Sequence, residues 1–222
     1  MTETERSLRQ AVIDTCIALD AKGINQGTSG NVSVRCQAAD PTTGFYLTPT
    51  SIPYAVMQPE DLVHVALDGT VTGRARPSSE LPFHLAIMRA RSDAQAIVHT
   101  HSTHATAVSC LRQDIPAIHY LVALFGGNSI RCADYATFGT EELSAHVIKA
   151  LQRRRAALMA NHGLIVLGKN LAQALAFTVE AEQLAVLWLR ARAAGQPIIL
   201  PDDEMERVLA KFADYGYGPV ES

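Results

Sequence analysis

The sequence predicts an α/β fold: a mixed, largely antiparallel sheet covered by helices. Three observations carry this. Short strand-like runs alternate with helical periodicity along the chain, no clean βαβ rhythm emerges, and two of the runs are joined as a hairpin. The chain has 222 residues, 48% apolar and 18% charged, enough to bury the core of one large domain. No repeat, low-complexity linker or compositional break divides it, so residues 1–222 are expected to form one domain.

The elements follow in order. Leu8, Val12, Cys16 and Leu19 recur at helical spacing over 4–22, and Gly23 is a natural stop. GTSGN (27–31) is a turn, and VSVRC (32–36) alternates as a half-buried strand. FYLT (45–48) is another short strand. LVHVAL (62–67) and TVTG (70–73) flank Asp68-Gly69, a pair suited to a tight two-residue turn. PSSE (77–80) opens a helix to about Arg91, capped by Ser78 or Ser79. AIVHT (96–100) is a strand and HATAVSCL (104–111) a helix. Residues 139–154 form a helix capped by Thr140. AALMA (156–160) and LIVL (164–167) are extended pieces around Asn161-His162-Gly163. A long helix runs from Leu171 to about Ala194, and a last one covers 202–214.

The totals exclude several classes. A net charge of −3 does not favour a nucleic-acid partner. The start, MTETERSLRQ, has no signal-peptide core, and no apolar run is long enough to span a membrane. Cys16, Cys36, Cys110 and Cys132 form no CxxC pair, which argues against a sulfur-based zinc site and for a reducing compartment. The expectation is a soluble, cytoplasmic protein with no nucleic-acid or membrane partner.

The stretch VHTHSTHATA (98–107) gathers three of the chain's eight histidines, His99, His101 and His104. On a strand, His99 and His101 point to one face, while His104 falls on the next helix. HxH suits two adjacent metal-ligand positions, or two hydrogen-bonded structural histidines. His162, in a turn behind an apolar strand, is a candidate third ligand; three histidines and an open position make a catalytic rather than a closed metal site. Glu80 reads either as a helix-start carboxylate or as a general base or further ligand. Gly27–Asn31 offers N–H groups and hydroxyls to an anion, and Ser78 and Ser79 stand at a helix start where the same anion could bind. His64 and His146 read as bland strand and helix-face residues, His84 lies inside a helix, and His119 precedes Tyr120.

Taken together and in this order, NQGTSGNVSVR (25–35), LTPTSIPY (47–54), PSSE, VHTHSTHATAVS (98–109), IPAIHY (115–120), GGNSIRCADYATFGTEELS (126–144) and NHGLI (161–165) resemble the class II aldolase/adducin family. The resemblance runs from about Ala11 to Tyr217. It implies a three-layer α/β fold, a central mixed, mostly antiparallel sheet flanked by helices. It also implies a homotetramer with sites at subunit interfaces. One zinc ion per subunit, with manganese or cobalt as alternatives, would be held by His99, His101 and His162. Glu80 would be a resting ligand that substrate displaces, then the catalytic acid/base. Tyr120 would come from a neighbouring subunit as a proton donor. Thr28, Gly30, Asn31, Thr50, Ser78 and Ser79 match the phosphate pocket, and the C-terminal tail, with Tyr215, the aldehyde pocket. His104 matches no ligand.

Where the family commonly has glycine after Thr-Pro-Thr, this chain has Ser51, which tolerates positive φ poorly and brings Oγ as an extra phosphate donor. The implied reaction is reversible cleavage of a ketose 1-phosphate to dihydroxyacetone phosphate and a small aldehyde. Candidate substrates are L-fuculose 1-phosphate and a 5-deoxy- or 5-methylthio-ribulose 1-phosphate; Leu121, Val122 and Phe125 would be either an apolar wall for the latter or plain core. Epimerase and decarboxylase chemistry, or an adducin-like interaction module without chemistry, are the alternatives.

Overall fold

The computed structural model describes residues 1–36, 44–216 and 220. In chain order the elements are α1 (Glu3–Ala21), β1 (Asn31–Arg35), β2 (Phe45–Leu47), β3 (Val63–Val65), β4 (Val71–Thr72), α2 (Leu81–Ala90), β5 (Ala96–Thr100), α3 (Thr103–Cys110), β6 (Ile115–Pro116), β7 (Ser129–Ala133), α4 (Glu141–Ala150), β8 (Ala156–Met159), β9 (Gly163–Gly168), α5 (Leu171–Ala194) and α6 (Asp202–Asp214). Short 3₁₀ turns occupy Pro59–Asp61 and Tyr120–Phe125.

The strands lie in the order β4-β3-β2-β1-β5-β9-β8-β7-β6. The β7–β8 pair is parallel and the other described pairs are antiparallel, so the sheet is mixed and mostly antiparallel as the sequence predicts. Side-chain alternation divides β5. Ile97 packs with Phe83, Ile87 and Val147, under α2 and α4. Ala96 and Val98 face the other way, with Val12 and Cys16 of α1 and Ala174 of α5. Farther along that second face, Leu158, Leu164 and Val166 meet α3, α5 and Met205 of α6. Helices therefore cover both faces and make three layers.

Local chemistry explains the ends. Thr2 and Glu5 form a reciprocal capping box on α1. Thr140 Oγ1 accepts from Leu143 N at the start of α4, as expected, but α4 ends at Ala150, four residues short of the predicted end. The Asp68-Gly69 hairpin has a three-residue loop rather than a two-residue one. Ala66 N donates to Thr70 O, Gly69 N donates to Ala66 O, and Gly69 takes φ +100°; this is a type I turn followed by a left-handed glycine. Neither serine caps α2. Glu80 itself occupies the N-cap position, and Ser78 Oγ accepts from Glu80 N at 3.2 Å.

Candidate metal centre

The centre lies where β5, β9 and the start of α2 converge. Asn31 of β1 and Ile165 of β9 are the cross-strand partners of His99. His101 follows the end of β5 directly, before Ser102 starts α3. His162 sits in the turn between β8 and β9. Its N–H donates to Met159 O, with Asn161 in the left-handed region at φ +53°, a conformation asparagine tolerates better than most side chains. The three rings meet edge to face, centroids 4.9–5.0 Å apart. Glu80 enters from the α2 side, with Oε1 2.7 Å from His162 Nε2 and Oε2 3.0 Å from His99 Nε2. One ligand atom from each of Glu80, His99, His101 and His162 lies within 4.8 Å of the others.

The donor chemistry fits a cation. His99 Nδ1 lies 2.9 Å from Leu164 O, a contact that requires the ring to donate there. A neutral His99 then presents only a lone pair at Nε2. That lone pair faces a carboxylate oxygen, another acceptor, without hydrogen-bond geometry, and His101 Nε2 is likewise buried with no partner. Lone pairs converging in a buried space are stabilised by a positive ion between them. Burial opposes ionisation of Glu80, but the His99 and His162 rings beside its two oxygens outweigh it and hold the carboxyl well below its ordinary range. Burial, helped by the neighbouring His99 and His162, lowers His101 to about 4. The imidazole is thus neutral, the form that binds a metal.

Beside the centre opens a cavity of about 370 Å³, lined by Thr28, Ser29, Gly30, Asn31, Pro49, Thr50, Ser78, Ser79, Glu80, His101, Tyr135, Ala136, Phe138, Asn161 and His162. Its donors are hydroxyls, amides and histidines; among the described residues no lysine or arginine lines it. Tight packing shapes the first wall: a Cβ on Gly30 would come within 2.5 Å of Asn25 Oδ1 and 2.7 Å of His99 O, and Tyr54 OH donates to Gly30 O. Ser78 N donates to Thr48 O and Thr50 N to Arg76 O, which clip the second wall together.

Of the residues predicted for the phosphate pocket, Thr28, Gly30, Asn31, Thr50, Ser78 and Ser79 line this cavity; Ser51 does not. Ser51 adopts φ +63°, the strained conformation anticipated for it, and its Oγ lies 3.2 Å from Thr50 Oγ1. The Asn31 side chain is held by Glu80 and His84. Tyr120 and Tyr215 stand outside the cavity, 48% and 77% exposed. Tyr217 falls outside the described residues. Val122 and Phe125 are fully buried and belong to the core, and Leu121 is partly buried against it. His104 turns away to Glu182, and His119 Nδ1 accepts from Leu121 N. Tyr135, Ala136, Phe138 and Asn161 are cavity residues the sequence reading missed. Two aromatics close together in YATF and an asparagine before the turn histidine were the available signals.

Three histidines and a carboxylate beside a cavity with hydroxyl and amide donors, on a three-layer sheet, define a metal-dependent enzyme of the aldolase type. Residues 10–189 match the Class II Aldolase and Adducin N-terminal domain. The chain is 48% identical to L-fuculose phosphate aldolase of Escherichia coli K12, over 94% of this chain and 95% of that protein. It is 45% identical to the 5-methylthioribulose-1-phosphate/5-deoxyribulose-1-phosphate aldolase of Rhodospirillum rubrum, over 95% and 93%. A solved structure of L-fuculose 1-phosphate aldolase superposes with a TM-score of 0.89 at 37% identity, covering 93% of this chain and 96% of that one. The chain belongs to the class II aldolase/adducin family, and within it is a class II aldolase, a carbon–carbon lyase. No helix among the described residues is long and apolar enough to cross a membrane.

Proposed function

We propose that the protein reversibly cleaves a ketose 1-phosphate, L-fuculose 1-phosphate or a close analogue, to dihydroxyacetone phosphate and a small aldehyde. The convergence of Glu80, His99, His101 and His162 beside the hydroxyl-lined cavity carries this reading. His99, His101 and His162 would hold one divalent ion, zinc by its preference for nitrogen ligands, with Glu80 as the fourth ligand at rest. Such an ion would supply positive charge to offset the negative charge that develops as a carbon–carbon bond breaks.

The chain's own residues supply the rest. Thr28, Thr50, Ser78, Ser79 and the backbone around Gly30 hold the phosphate, which fixes the reacting bond. Glu80 stands at the boundary between centre and cavity, 6% exposed. It would be the group that moves the proton on and off the donor carbon. Tyr120, exposed and outside its own chain's cavity, would serve a neighbouring subunit as proton donor to the aldehyde oxygen. Tyr215 would help close the aldehyde pocket in the same assembly. This arrangement calls for a homotetramer of single-domain subunits. A reducing, cytoplasmic setting accords with four free cysteines.

A second substrate has support in the cavity itself. Tyr135 and Phe138 line it while 52% and 62% exposed, a surface that suits the apolar distal group of a 5-deoxy- or 5-methylthio-ribulose 1-phosphate. Turnover of metal-loaded protein on these ketose 1-phosphates, with Glu80→Gln as control, tests the reading. Dihydroxyacetone phosphate should appear, and the variant should lose on the order of 100-fold or more in kcat. An isomer or carbon dioxide as product, or no cleavage of any of them, would refute it.

A further inference from the structure

Behind Glu80 runs a string of buried hydrogen bonds that the proposed reaction does not use. Asn31 and Ser33 are two apart on β1 and share the face that His99 and Ile97 present on β5. His84, one turn into α2 from Glu80, lies between them. Ser33 Oγ is 2.7 Å from His84 Nδ1, His84 Nε2 is 2.5 Å from Asn31 Oδ1, and Asn31 Nδ2 is 2.6 Å from Glu80 Oε2. All four residues are buried.

The carboxylate fixes the direction of the whole string, because an ionised carboxylate only accepts. Asn31 must then turn its amide nitrogen to Glu80 and its oxygen to His84. His84 must carry its proton on Nε2, and its bare Nδ1 must accept from the Ser33 hydroxyl. Without Ser33 the ring is free to hold its proton on Nδ1 instead. It would then oppose a lone pair to Asn31 Oδ1 and favour the flipped amide, which sets an oxygen against Glu80.

We propose that Ser33 and His84 are positioning residues: by locking one tautomer of His84 and one orientation of the Asn31 amide, they hold Glu80 aimed at the metal-holding histidines. The inference deepens the aldolase reading and rests on it for its effect on turnover, while its effect on metal binding can be read separately.

Three variants test it: Ser33→Ala, His84→Gln, which keeps a donor near the place of Nε2, and His84→Leu, which keeps only bulk. Cobalt(II) affinity, by competition with a chelator, and kcat on a ketose 1-phosphate are measured on folded protein. Ser33→Ala and His84→Leu should each lose about 10-fold in affinity and in kcat, and His84→Gln should stay close to wild type. Ser33→Ala binding cobalt(II) as tightly as wild type would overturn the proposal, as would His84→Gln failing as badly as His84→Leu. If His84→Leu does not fold, Ser33→Ala against His84→Gln decides. Wild-type protein that cleaves no ketose 1-phosphate would end the aldolase reading and leave the cobalt comparison to decide this one.

Discussion

Gly163 stands so close to Thr100 that a Cβ built on it would lie 2.5 Å from the Thr100 carbonyl oxygen, and 3.0 Å from His101 Cδ2. The residue after His162 must therefore lack a side chain for β9 to approach β5 and bring the rings together. Gly163→Ala should destabilise the fold by about 1–3 kcal/mol and weaken metal binding about 10-fold. Melting temperature and metal affinity of the purified variant check both; wild-type values would refute the requirement for glycine at this approach.

The three histidines of VHTHSTHATA divide unequally. His101→Ala should lose most bound metal, whereas His104→Ala should keep it. His104 Nδ1 lies 2.8 Å from Glu182 Oε1 with its side chain 43% exposed, a pair worth about 0–1 kcal/mol. Elemental analysis after dialysis separates the two variants, and equal losses would contradict the division.

Glu182→Ala should be the more costly change on that side. The carboxylate accepts from the N–H groups of both His104 and Ala105 at the start of α3. Burial raises its pKa, but these donors outweigh burial and hold it below the ordinary value. Removing it leaves orphaned donors at a helix start and costs about 1–3 kcal/mol, measurable by urea denaturation. Because the folded pKa is depressed, the carboxylate's contribution is full above the unfolded carboxyl pKa and is lost as pH falls through the folded one.

The metal-free protein should lose stability on acidification well before its carboxylates titrate. Burial, helped by the nearby His99, lowers His84 from 6.5 to about 3. Between those values the unfolded chain binds a proton that the folded chain refuses, so stability falls as pH drops from 6.5 and levels off below about 3. His84→Gln should flatten that slope by up to about 1.4 kcal/mol per pH unit. Denaturation of the apoprotein between pH 7 and 4 supplies the comparison, and parallel curves would refute it.

Ser51→Gly should raise stability by up to ~1 kcal/mol, because glycine takes φ +63° without the Cβ penalty that serine bears there. The rise is read as a higher melting temperature, and a lower one would show that contacts of the Ser51 hydroxyl outweigh backbone strain.

Period-two alternation made part of the centre legible: it put His99 and His101 together and sent His104 elsewhere. The same alternation puts Asn31 and Ser33 on the face of His99, but in the sequence Asn31 closes the turn-forming GTSGN and Val32 is the first strand-like residue. Glu80 was not legible from spacing alone, since a carboxylate after two serines is an ordinary helix start; only the resemblance assigned it to the metal. Two strands went unread for physical reasons. β6 is two residues long. β7 reads Ser-Ile-Arg-Cys-Ala, whose parallel partner β8 and whose hydrogen bond from Cys132 N to Asp114 come from distant parts of the chain. The hairpin turn was misjudged because Asp-Gly serves two loop lengths, and the neighbouring Leu67 decides nothing locally.

His99 lies on the fifth of nine strands, with β1 on one side and β9 on the other. Its amide should be among the slowest in the molecule to exchange with deuterium, with or without an ion. The imidazole at the middle of the centre should therefore keep its place when the protein is metal-free. Glu80, ahead of the first full turn of α2, has no such ladder around it. Its place is kept by single side-chain contacts, from Asn31, His99 and His162, so the carboxylate side of the centre is the part that a substitution can disturb without disturbing the sheet.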